Sequence, residues 1–167
     1  MKKKVLSLLL AVVMTFSLAV TANAAEETAQ DLDGDIVILH TNDVHGAISG
    51  YAKVAALKDA YEARGAYVLL MDAGDFIQGD PTVSTSEGAT AVELMNLAGY
   101  DVAAPGNHEF DYGMDNFLTL AREKAEYAYL CANFTDLEGK AVLDGYQVLT
   151  YGDVKVGYVG IDTPESF

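Results

Sequence analysis

Three short polar turns recur along this chain at one fixed interval, each following a run of apolar residues. Asp43, Asp75 and Asn107 mark them, and each lies 32 residues after the one before. A strand, a helix and a return to a parallel neighbour take roughly 30 residues or more. The interval is therefore that of one β-α-β step. Crossovers of this kind are right-handed and keep the strands parallel. All three turns are thus expected at the carboxyl edge of one sheet, where α/β folds bind ligands. The pattern predicts an α/β chain of β-α-β units on a mostly parallel sheet.

The remaining texture fits that frame. Residues 36–41 and 67–71 are continuous apolar runs of the kind buried on both faces of a sheet. Residues 101–104 and 128–132 supply two more strands. Helices are predicted over residues 52–64, 90–98 and 115–124. Their inward positions are Val54, Leu57 and Tyr61, then Ala91, Leu94, Met95 and Ala98, then Met114, Phe117, Leu118 and Ala121. Gly65 and Gly99 end the first two. Beyond Val142 the chain changes to short strands with Gly turns, read as an antiparallel hairpin over residues 146–151 and 154–161.

Residues 1–24 carry a different message. Three lysines precede an apolar run from Val5 to Val20, and Ala22-Asn23-Ala24 offers the small residues of a cleavage site. The chain is expected to be secreted through a cleavable signal peptide, with no stable membrane anchor. Residues 25–35 are polar and acidic and read as a flexible leader. The net charge is −15, becoming −18 once Lys2, Lys3 and Lys4 are removed. Such a chain has no general attraction to nucleic acid polymers or anionic lipid. Cys131 is the sole cysteine, which rules out an internal disulfide, and its apolar setting marks a packed thiol.

The turns themselves hold the chemistry. Asp43 and His45 offer a carboxylate and an imidazole from one tight turn, and Gly74 leaves room beside Asp75. Asn107 adds a neutral carbonyl oxygen. Mixed oxygen and nitrogen ligands suit Zn, Mn, Fe or Co. Two divalent metal ions are expected, one on Asp43, His45 and Asp75 and the other on Asp75 and Asn107, bridged by Asp75 and by water or hydroxide. His108 has Asp111 three residues on, the spacing of a carboxylate-oriented imidazole able to act as an acid. Asp72, His40 and Glu109 are read as supports behind the ligands: Asp72 holding a loop, His40 in packing, Glu109 in its turn. Gln78 and Asp80 either line the cleft or are merely hydrated.

These residues resemble a known family. The segments Thr41-Asn42-Asp43-Val44-His45-Gly46, Asp72-Ala73-Gly74-Asp75 with Gln78-Gly79, and Gly106-Asn107-His108-Glu109-Phe110-Asp111 resemble the calcineurin-like metallophosphoesterases. The nearest form is their exported 5′-nucleotidase / 2′,3′-cyclic-nucleotide phosphodiesterase / UDP-sugar hydrolase branch, and Gly160-Ile161-Asp162-Thr163-Pro164-Glu165 looks like its next landmark. The resemblance implies half of a four-layer α/β/β/α sandwich over residues 36–167. It also implies metal ligands at Asp43, His45, Asp75 and Asn107, with His108 and Asp111 as the catalytic dyad. The implied substrate is a nucleotide or another small phosphate ester. Family members add histidine motifs and a C-terminal nucleotide-binding domain further on, whereas no histidine follows His108 here. The expectation is an N-terminal part of a longer protein, binding metal weakly and inactive alone. A non-catalytic exported module that binds metal or ligand is the competing reading.

Overall fold

The four apolar runs pair as parallel strands in the order in which they occur. The computed structural model describes residues 30–164, so the expected signal peptide and residues 25–29 of the expected leader lie outside the described residues. Strands β1 (Ile36–Thr41), β2 (Tyr67–Asp72), β3 (Val102–Ala103) and β4 (Ala128–Tyr129) form one sheet in that sequence. Thr41 pairs with Asp72 and Asp72 with Ala103, so the first three strands end in one row. The turns that follow them leave from the same edge.

Consecutive order has a consequence for layering. Right-handed crossovers that always step the same way put every helix on one face. Helices α1 (Tyr51–Glu62), α2 (Pro81–Thr85), α3 (Ala89–Ala98) and α4 (Met114–Thr119) share a core with the sheet residues Leu70, Ala103 and Tyr129. Phe76, Ile77, Val92, Met95 and Phe117 fill its centre and are wholly buried. The alternate strand positions Leu69, Val102 and Leu130 face the other way and pack against Tyr158. Tyr158 belongs to an antiparallel hairpin, β5 (Tyr146–Tyr151) and β6 (Val154–Val159). The layers are helices, parallel sheet and hairpin.

Several expectations need correction. Strand β1 is not buried on both faces: among the described residues it is the sheet's edge, with Ile38 50% exposed and His40 exposed. Residues 32–35, expected in a flexible leader, are docked. Leu32 is buried with Ala66 and Val68, its N–H donates to Arg64 O (2.9 Å), and Asp35 O accepts from Tyr67 N (2.8 Å). Leu57 and Met114 are exposed rather than inward. The third predicted helix gives way after Thr119 to a wider π turn, Leu120–Lys124, closed by Ala125 N–H on Leu120 O. Leu120, three residues on from Phe117 and so on the same face, is buried, while Leu118 and Ala121 are only partly covered. Among the described residues no helix is long and apolar enough to cross a membrane.

Candidate metal centre

The three turns are tied to one another by backbone before any side chain is considered. Asp43 N–H donates to Gly74 O and His45 N–H to Asp75 O, both at 3.0 Å, which zips the first turn to the second. Gly74, at φ +103°, lies so close to the third turn that a Cβ there would sit 2.3 Å from Gly106 N. Glu109 completes the join. Its carboxyl accepts from Asp75 N (2.8 Å), Phe76 N (3.0 Å) and Gly106 N (2.6 Å) and is fully buried. His108 N–H in turn donates to Asp75 Oδ1 at 2.8 Å.

This stitching brings one ligand atom each from Asp43, His45 and Asp75 within 4.8 Å of one another. All three adopt left-handed backbone, with φ of 52°, 44° and 63°. Asp and His visit that region more readily than most residues, yet each such conformation costs on the order of 1–3 kcal/mol. The surrounding hydrogen bonds hold it. Asn107 opens the turn Asn107–Phe110 and directly precedes His108. His108 stands on the same edge, its ring 5.2 Å from that of His45 and nearly perpendicular to it. His40 does not join them, because β1 turns it outward at the sheet's edge.

Asp72 lies beneath. Its carboxyl accepts from Thr41 Oγ1 and from Gly74 N (2.7 Å), and Thr41 Oγ1 also meets Tyr100 Oη at 2.8 Å. Burial pushes the Asp72 carboxyl up to about 7, against the pull of those hydrogen bonds, with the nearby Glu109 and Asp75 charges adding to the rise. Burial does the same to Glu109, also to about 7, opposed by its three backbone donors. Raised carboxyls favour the neutral form. Their contribution to stability is complete below the unfolded values and is lost as pH rises through about 7.

The imidazole of His108 is set the other way. Its Nδ1 lies 2.9 Å from Asp111 Oδ2, and this hydrogen bond holds the His108 pKa above its ordinary value despite partial burial. The protonated ring is the favoured form, so stability from this pair is present in acid and fades as pH climbs through the raised pKa. Replacing Asp111 by Asn removes the charge and should bring His108 down towards the usual histidine range. An NMR titration of the ring would show this as an earlier loss of the proton on going from acid to neutral pH.

Carboxylates and an imidazole converging on one point suit a borderline divalent cation. Gln78 lines the cleft, its side-chain amide nitrogen meeting His45 Nδ1 at 2.6 Å. Asp80 caps α2 by accepting from Thr82 N at 2.8 Å. The sequence profile of the calcineurin-like phosphoesterases matches residues 36–166. The chain belongs to that family.

Its relatives within the family are larger. This calcineurin-like phosphoesterase chain is 32% identical to bovine 5′-nucleotidase over 154 residues, which is 79% of this chain and 27% of that protein. It is 33% identical to protein UshA of Escherichia coli over 172 residues, 94% of this chain and 30% of that one. The solved 5′-nucleotidase precursor of Thermus thermophilus superposes with a TM-score of 0.68 at 29% identity, over 77% of this chain and 29% of that chain. The chain thus spans less than a third of each of these relatives.

Proposed function

We propose that this chain carries the metal-binding and acid side of a phosphoesterase centre of the 5′-nucleotidase type, acting on nucleotide phosphate esters. The observation that supports it most is the convergence of Asp43, His45 and Asp75 beside the His108–Asp111 pair. Two divalent cations, drawn from Zn, Mn, Fe and Co, would be held by Asp43, His45, Asp75 and Asn107, with Asp75 shared. Such ions lower the pKa of coordinated water and neutralise the oxygens of a phosphate ester. Asp111 engages Nδ1 of His108, which leaves Nε2 to carry a proton to the leaving oxygen. The strongly acidic chain would otherwise repel a phosphate, so bound cations are what make the edge attractive to one.

Four side chains shared by two cations leave both under-coordinated, so further ligands from a longer protein complete the reading. The outer face of the hairpin, with Tyr146, Val148 and Val159 exposed, offers an apolar surface for the second half of a sandwich. A nucleotide-binding domain and secretion through residues 1–24 belong to the same proposal. Titration calorimetry with Mn²⁺, followed by phosphate release from a nucleoside 5′-monophosphate, tests it. The chain alone should bind Mn²⁺ weakly and release negligible phosphate, and the protein extended by the following coding sequence should turn over. Brisk turnover by the chain alone would refute the incompleteness, and no Mn²⁺ binding at all would refute the metal centre.

A further inference from the structure

We infer that Gln78 is a positioning residue for the cation site, fixing which nitrogen of His45 offers a lone pair. The inference rests on His45 being a metal ligand, as proposed above. A neutral imidazole has one N–H and one lone pair, and the partner of the first decides the availability of the second. In His45 the two nitrogens face different surroundings. Nδ1 lies 2.6 Å from the Gln78 amide nitrogen, while the ring Nε2 lies 3.8 Å from Asp43 Oδ1, one of the clustered ligand atoms. Only Nε2 is therefore placed to take a cation. It can do so only if Nδ1 keeps the proton.

The orientation of the Gln78 amide controls that condition. Rotated to present its oxygen, it accepts the Nδ1 proton and frees the Nε2 lone pair. Presenting its nitrogen, as it does in this structure, it drives the proton to the ring Nε2 and closes the site, so a cation is admitted once the amide turns over. Cation binding and the amide's orientation are thereby linked, in the way that partners behind a metal-bound histidine set its tautomer. The turn bearing Gln78 is built against His45. Asp80 N–H donates to His45 O at 3.1 Å, and a Cβ on Gly79 would fall 2.1 Å from that same oxygen. Asp80 then caps α2, so the backbone that presents Gln78 is fixed on its far side as well.

The test compares the chain with its Gln78→Met and Gln78→Glu variants, using Zn²⁺ as the probe. Three readouts are taken: calorimetric affinity, the ¹⁵N signature of the His45 ring and the melting temperature without metal. In the Zn²⁺-loaded protein the His45 ring should show a protected Nδ1 proton. Gln78→Met should lose that protection and weaken Zn²⁺ binding by about 10-fold or more, with the metal-free melting temperature little changed. Gln78→Glu, which can only accept at Nδ1, should keep the tautomer and bind at least as well as the parent. An unchanged affinity and ring signature in Gln78→Met would overturn the role of Gln78. If His45→Asn binds Zn²⁺ like the parent, the ligand assignment itself falls, and this inference with it.

Discussion

Replacing Glu109 by alanine is expected to destabilise the metal-free protein by about 3–5 kcal/mol, through loss of a buried acceptor that three backbone donors depend on. Phe76 would keep a buried N–H without a partner, and the half-buried Asp75 and Gly106 would lose the acceptor of theirs, beside a position with no exposed surface. Part of the cost is offset, because the carboxyl itself is held at about 7 by burial and is costly to keep charged. Glu109→Gln retains one acceptor oxygen but turns an NH₂ towards a backbone N–H, so about half the loss is expected. Urea denaturation without metal measures both. A Glu109→Ala protein with the parent midpoint would show that the second and third turns are held together by something else. Should alanine prevent folding outright, the glutamine variant still reports the ordering.

The clamp also shows what sequence could and could not give. The interval between Asp43, Asp75 and Asn107 was enough to foresee one sheet edge, because a β-α-β step has a narrow length and one hand. The register of Thr41, Asp72 and Ala103 in one row is its direct outcome. The layering was harder to see. Nothing in Ile36–Thr41 distinguishes an edge strand from a central one, since the apolar run is the same and only the neighbours differ. His40 was misplaced for that reason. The π turn after Thr119 was equally hidden: it inserts one residue into a helical turn without altering which residues are apolar.

Side-chain partners across the turns followed a similar division. Asp111 could be paired with His108 because three residues is a fixed distance in a tight turn. Gln78 and His45 are 33 residues apart, so no local spacing could have joined them. The short helix α2 was missed although its signals were present. Asp80 followed by Pro81 is a cap and a first helical position, and both act so in the structure.

Converting Asp75 to Asn should weaken Mn²⁺ binding by about 100-fold or more, since a ligand carboxylate contributes more than the partners behind it, whose loss alone costs 10–100-fold. The substitution is chosen to spare the fold. An amide oxygen can still accept from His108 N–H, as Asp75 Oδ1 does, and asparagine tolerates the left-handed backbone at φ 63°. Without metal, the variant should melt at or above the parent temperature. It removes one of two carboxylates crowded against His45, and lessens the charge that raises the Asp72 and Glu109 carboxyls. The two effects separate in one experiment. Mn²⁺ at 100 times its dissociation constant should stabilise the parent by about 2.7 kcal/mol, and the same concentration should scarcely move Asp75→Asn. A variant stabilised as much as the parent would place the cation elsewhere. A variant that melts far lower without metal would mean that the Asp75 charge, and not only its oxygen, holds the turns together.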